Sequence, residues 1–388
     1  MAGALRTLEF LPRLWRRRGP PVHLTLFVTG RCNAKCRHCF YWKEVDAGEA
    51  GLALSEIEAL GRSAGPLLWL ALGGGEPTLR EDLPGIVRAF ARSRPIVVSV
   101  PTNGFLPERA ERLAGEISRR NPDSLVVFAV SFEGPEAVHD RVRDFPGGFA
   151  RAVETVGRLR ALRDRGGAAN LGVGAIFTLT AENQDLASDF VEFVARELRP
   201  DNLTINLARG SPRDPGLLKV DPARYRAAVA RKAALVREER LPYFRMPLAR
   251  LGLARDAEMH ERIAAFSEAR ARGDLSPIAF PGTGVAPRGA VDGRGLDGAY
   301  VPCRAGELSL VVDERGEVRP CEILGASFGS LREVGMDLRR LLEGPRAESV
   351  RRWIRESRCA CTFECAAATN LLFDPRGASR VLARALRS

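Results

Sequence analysis

Three cysteines, Cys32, Cys36 and Cys39, fall inside eight residues of the stretch RCNAKCRHCF, with no fourth nearby. A zinc site closes with four ligands and usually brings its cysteines in C-x2-C pairs. A [4Fe–4S] cluster is normally held by four cysteines as well. Three thiolates at C-x3-C-x2-C spacing wrap one face of a cubane and leave one iron open to a small molecule. Downstream, Gly73-Gly74-Gly75-Glu76-Pro77 combines glycines that let a ligand approach the backbone with a carboxylate that accepts from an ammonium group. Alone, a Gly-rich turn of this kind marks no site. The remaining cysteines are Cys303 and Cys321, then Cys359, Cys361 and Cys365. Clustered cysteines in a reducing compartment point to metal or iron–sulfur ligation, not to a disulfide framework.

The elements that must position these residues read as alternating strands and helices. VHLTLFVT precedes the cysteine loop, and a helix is expected to open at Ser55, where S-E-I-E spacing suggests a capping box. LLWLAL leads into GGGEPT; IVVSVPTNG, SLVVFAVSFEG, LGVGAIFTLT and NLTINLARG follow, with helices expected near 107–120, 147–165 and 185–198. Six β/α alternations imply parallel strands and an α/β fold, either a partial barrel or an open doubly wound sheet. In both, ligands bind at the C-terminal edge of the strands, where the cysteine loop, GGGEPT, TNG and SFEG all fall.

The chain is expected to divide into a basic N-terminal arm (1–20), a core (21–210), a helical and Gly/Pro-rich linker (211–300), a small cysteine-bearing domain with a β-hairpin (301–370) and a C-terminal helix (371–388). A chain of 388 residues, 45% hydrophobic and 28% charged, is an ordinary globular protein with room for one large and one small domain. No apolar run is long enough for a membrane span, and no signal peptide is apparent, which predicts a cytoplasmic protein. The net charge of +11 is carried almost wholly by arginine; the lysines are Lys35, Lys43, Lys219 and Lys232. Because the arginines are interleaved with acids, solvated helix faces explain them better than nucleic-acid binding does. The single dense run, Arg16-Arg17-Arg18, is expected to be solvated.

C-x3-C-x2-C followed by GGGEPT resembles the radical S-adenosylmethionine (SAM) enzymes over residues 20 to 210. The resemblance implies a partial (β/α)6 TIM barrel in which Cys32, Cys36 and Cys39 hold a [4Fe–4S] cluster whose open iron chelates SAM. Gly74, Gly75 and Glu76 would contact the methionyl amine. His38, a departure from the aromatic residue often found at that position, would lie near the adenine, and Asn103, Ser131 and Arg143 match places that contact SAM. The implied chemistry is reductive cleavage of SAM to methionine and a 5′-deoxyadenosyl radical, which abstracts hydrogen from the substrate.

Cys303-x12-Gly316-x4-Cys321 brackets the expected hairpin and returns its two thiols to one end. With the later cysteines it resembles the SPASM or twitch auxiliary-cluster domains, although Cys359 is displaced from that pattern and no cysteine follows Cys365. The resemblance implies one auxiliary [4Fe–4S] cluster on Cys303, Cys321 and Cys365, completed by Cys361 or Cys359; a zinc knuckle is the alternative. The implied function is that of an oxidoreductase or maturase acting on a peptide, protein or small-molecule substrate. A biosynthetic enzyme of lipids, sugars or cofactors and a non-catalytic iron–sulfur sensor are the other readings. A one-electron donor such as an acidic flavodoxin or ferredoxin would suit the basic surface. Asn206 and Arg209, at the end of the sixth strand, face the same edge.

Overall fold

A computed structural model describes residues 6–48, 51–244, 249–281 and 289–387. Part of the Gly/Pro-rich loop, 282–288, and the first five residues of the arm lie outside the described residues. Strands β1 (His23–Thr29), β2 (Trp69–Gly74), β3 (Val97–Thr102), β4 (Leu125–Phe132), β5 (Leu171–Leu179) and β6 (Asn202–Leu207) are all parallel and adjacent in chain order. This is the partial barrel expected from the six alternations, and it excludes the doubly wound order, in which the strand sequence reverses.

Alternation along the strands separates two faces. Leu24, Leu26 and Val28 pack with Ile57 and Leu60 of the helix Leu54–Ser63 in the outer core. Thr25, Phe27 and Thr29 point the other way, into the concave side. On β2 and β3 the outer residues Leu70, Leu72, Val98 and Val100 are fully buried, while Trp69, Ala71, Val97 and Ser99 stay half-exposed. The concave face is thus apolar and hydroxylic, and reachable.

The helix expected to open at Ser55 begins at Leu54, with Ala53 as its N-cap. The shift has a clear cause: Glu56 is the third helical residue and accepts from the Ala53 N–H at 2.9 Å, so the carboxylate sets the start. A helix not read from the sequence, Glu136–Arg143, follows β4. The helix read over 185–198 ends in a π-helical turn, Val194–Leu198.

The hairpin in 309–319 forms, and it joins the barrel sheet. After a short strand β7 (Val291–Asp292), β8 (Ser309–Val312) pairs parallel with β1. Strands β9 (Glu317–Arg319) and β10 (Gly329–Ser330) extend the same sheet antiparallel. Strand β11 (Cys359–Ala360) pairs with β7 instead. The cysteine-rich C-terminal segment is therefore built onto the open side of the barrel next to β1.

Part of the arm is fastened to this segment. Arg13 is buried and donates to the Glu307 carbonyl at 2.7 Å, and the buried Arg304 donates to the carbonyls of Arg13 and Arg16 at 2.9 and 3.0 Å. Arg16, Arg17 and Arg18 are exposed, as expected. Among the described residues no helix is long and apolar enough to cross a membrane.

Candidate active site

The loop that leaves β1 carries Cys32, Cys36 and Cys39 across the mouth of the barrel. Cys36 is buried, Cys32 and Cys39 half-buried, and all three pack around Ala34, Phe105 and Phe145. Three backbone hydrogen bonds hold the loop in place from outside. The Arg37 N–H donates to Val142 O at 2.8 Å, the Asp214 N–H to Arg37 O at 2.8 Å, and the Arg213 N–H to Cys39 O at 3.2 Å. Arg37 also pairs with Glu182 at 2.6 Å and Asp214 at 2.7 Å.

GGGEP lies directly against this loop. Gly75 N–H donates to Thr29 O at 2.7 Å and Glu76 N–H to Arg31 O at 2.9 Å. A Cβ on Gly74 would sit 2.5 Å from Thr29 O, and one on Gly75 only 2.0 Å from Arg31 O. The glycines are there because two backbone segments touch.

The Glu76 side chain is nearly fully buried and accepts four hydrogen bonds. They come from the Thr78 N–H (3.0 Å), the Thr78 hydroxyl (2.6 Å), the Thr102 hydroxyl (2.8 Å) and the Asn103 N–H (2.8 Å). It therefore locks the ends of β2 and β3 together. Asn103 continues the tie, donating to Asn33 Oδ1 at 2.7 Å and accepting from the Phe105 N–H at 2.9 Å. Glu76→Gln places an amide donor among these donors, at an expected cost of about 1–3 kcal/mol. Thermal unfolding without SAM checks this: a residue whose only partner is SAM would leave the SAM-free transition unmoved.

Ser131 is buried on β4, and Glu133 directly follows the last residue of that strand. Glu133, the acid of SFEG, carries no local signal in the sequence, yet the structure places it at the hub of this edge. It is fully buried and accepts from Arg143 Nη2 and from the Thr178 N–H at 3.2 Å. Arg143, also buried, donates from Nη1 to Cys36 Sγ at 3.6 Å. His38 Nε2 lies 3.6 Å from Glu133 Oε1, and its Nδ1 is buried without a partner among the described residues. Burial, then Arg143 and His139, push His38 well below its ordinary value, so it is neutral. An acid ten residues before an arginine was the available signal for the Glu133–Arg143 pair; no local pattern shows that a helix turns the arginine back.

Burial raises the thiols: Cys32 to about 12, Cys39 to about 11, and Cys36 upward despite Arg143. In each case a neighbouring cysteine adds to the rise for Cys32 and Cys39, which places the three within electrostatic reach of one another.

The C-terminal thiols also gather. Cys321 is buried just past β9 and Cys359 lies in β11; Cys359 and Cys303 are neighbours whose interaction lowers Cys303 and raises Cys359. Burial and then Cys303 push Cys321 to about 12, and burial followed by Cys321 and Cys303 raises Cys361. Cys365 is raised to about 12 by burial and then by Glu322, with Arg209 opposing. Backbone N–H groups already point at sulfur: Leu324 to Cys321 Sγ at 3.3 Å, and Phe363 to Cys361 Sγ at 3.4 Å. Among the described residues no three His, Cys, Asp or Glu side chains converge on one point, as a tetrahedral ion requires. Thiolates on separate irons of a cluster need no such convergence.

Residues 26–194 match the family model described as the radical SAM superfamily. The chain carries a radical SAM domain. It is 34% identical over 173 residues to the pre-heme d1 synthase of Dinoroseobacter shibae, covering 43% of this chain and 39% of that one. It is 31% identical over 195 residues to the PqqA peptide cyclase of Rhodopseudomonas palustris, covering 48% and 47%. The chain thus spans less than half the length of these curated relatives. The solved structure of native anSMEcpe with bound AdoMet and Kp18Cys peptide superposes with a TM-score of 0.59 at 15% identity, covering 95% of this chain and all of that one. That likeness extends the shared radical SAM fold through the C-terminal segment. The family's [4Fe–4S] cluster and SAM are the cofactors of this domain.

Proposed function

We propose that this chain is a radical SAM enzyme that cleaves SAM reductively and abstracts hydrogen from a peptide or protein substrate. The observation that carries the reading is the seating of GGGEP on the three-cysteine loop, through Gly75 N–H to Thr29 O and Glu76 N–H to Arg31 O. It seats the three-thiol loop directly against the strand edge on which SAM would lie. Cys32, Cys36 and Cys39 would hold the catalytic cluster. Cys303, Cys321 and Cys365, with Cys361 or Cys359, would hold the auxiliary one; the thiol contact between Cys303 and Cys359 favours including Cys359. When bound, the cluster and SAM supply a one-electron cleavage of the sulfonium and a hydrogen-abstracting 5′-deoxyadenosyl radical.

The chain's own residues bind, orient and shield. Ala34, Phe105 and Phe145 pack about the thiols and exclude water. Arg143 places a buried positive charge at Cys36, with Glu133 balancing it. Glu76 and Asn103 fix the edge on which SAM would lie, and Ser131 and neutral His38 border the same mouth. The substrate would enter by the half-exposed concave face.

The peptide reading draws on relatives named PqqA peptide cyclase and mycofactocin maturase MftC. A relative named for pre-heme d1 synthesis supports the second reading, a small-molecule substrate. Anaerobic reconstitution is expected to load about eight irons per chain, and the Cys32/Cys36/Cys39 triple-alanine variant about four. Dithionite-reduced protein that forms no 5′-deoxyadenosine, even slowly, would defeat the proposal and favour a sensor. We further propose an acidic flavodoxin or ferredoxin as donor. Its reduction of the protein should slow as ionic strength rises; a rate indifferent to salt argues against it.

A further inference from the structure

Arg209 stands two residues beyond β6, and every group it touches borders a cysteine. It pairs with Glu364, the neighbour of Cys365, and with Glu322, the neighbour of Cys321, at 3.4 Å. Its guanidinium lies over the Phe363 ring at 4.9 Å and the Phe40 ring at 5.7 Å. Phe363 sits between Cys361 and Cys365, and Phe40 follows Cys39. The side chain is only 15% exposed, and Glu364 6%. Glu364 is itself fixed by the Leu207 N–H at 3.0 Å, so the cation is anchored to the end of the barrel strand. No other arginine described here joins the two cysteine groups in this way.

A cluster gains one negative charge on reduction, and its potential follows the net charge and burial around it. A buried cation is poorly screened, so its effect reaches the thiolates nearly undiminished. Arg209 carries one positive charge between two buried carboxylates, which act in the opposite direction.

Resting on the reading of two iron–sulfur groups, we propose that Arg209 is a positioning residue that seats the auxiliary cysteines against the catalytic loop and holds the auxiliary cluster's reduction potential up. Glu322 and Glu364 then set how far. Arg209 thereby makes the auxiliary group easier to reduce than its thiolates alone would allow, without itself touching substrate.

The test uses the full chain, reconstituted anaerobically, in the Cys32/Cys36/Cys39 triple-alanine background, so that only the auxiliary signal remains. Its midpoint is read by redox titration followed by electron paramagnetic resonance. R209M is expected to shift the midpoint down and R209K to recover most of that shift. E322Q, which removes a countercharge, is expected to shift it up, and it decides the matter if R209M fails to fold. Iron at normal content with midpoints unmoved in R209M, or moved down in E322Q, overturns the inference alone. A background that binds no iron overturns the two-cluster reading and this inference with it.

Discussion

Gly75→Ala is expected to abolish SAM cleavage and to destabilise the chain, while Gly73→Ala two residues earlier is tolerated. The difference lies in what each new methyl meets. At Gly75 it would stand 2.0 Å from Arg31 O and 2.6 Å from the carbonyl carbon, both backbone atoms. At Gly73 the nearest atom is on the Phe27 ring at 3.6 Å, an ordinary contact. Relief at Gly75 requires parting the two segments, which breaks the Gly75–Thr29 and Glu76–Arg31 hydrogen bonds. Overpacking of this kind costs about 1–3 kcal/mol, and each lost hydrogen bond about 0.5–1.5 kcal/mol. The same movement carries Cys32 away from the strand edge, so activity should fall further than stability. Gly73→Ala should be neutral or gain about 0.4–1 kcal/mol from a less flexible unfolded chain. Denaturant unfolding and 5′-deoxyadenosine release measure both effects. Equal behaviour of the two variants would show that backbone contact is not what the glycines serve.

The contrast between Gly73 and Gly75 also marks what was legible in the sequence. GGGEP could be read as a strand-end turn near a ligand, because strand periodicity placed it on the same edge as the cysteine loop. Which glycine touches the loop depends on parallel pairing between residues some forty positions apart, and no local pattern encodes that. The barrel strands were legible for the same reason as the motif: alternate apolar residues facing outer helices leave a period-two trace. The sequence suggests Glu76 as a ligand for an ammonium group, and its oxygens also face four protein donors on three residues, Thr78, Thr102 and Asn103, at two strand ends. The hairpin was legible from ELSLVVD-ERG-EVRPC, but its parallel pairing with β1 was not, since β8 and β1 are separated by most of the chain. Residues whose partners are distant, Glu133 with Arg143 and Arg209 with Glu322 and Glu364, were the hardest to assign. Their importance comes from burial, and burial is a property of the assembled barrel.

Arg143→Met is expected to cost about 3–5 kcal/mol at pH 8, and adding Glu133→Gln should restore most of it. Arg143 is the positive partner of a carboxylate with no exposed surface, and removing one member of such a pair leaves an uncompensated buried charge. Burial already raises Glu133 from its ordinary 4.5 to about 7, with Arg143 opposing the rise; without the arginine it goes higher. A folded-state value above the unfolded one means that the folded chain holds the proton more tightly. Stability from this group is therefore complete below about 4.5 and is lost as pH rises through the folded value. Arg143→Met should accordingly lie nearest the parent protein in mildly acidic solution and farthest from it at pH 8. The double variant has no carboxylate to charge, so its deficit should be nearly independent of pH. Urea unfolding of the four proteins across that range forms a double-mutant cycle with a coupling of kcal/mol size. A single-variant cost under about 1 kcal/mol at pH 8, or no recovery in the double variant, would mean that Glu133 is stabilised by its Thr178 and His38 contacts and not by Arg143. In that case the charge beside Cys36 would be free to serve SAM alone.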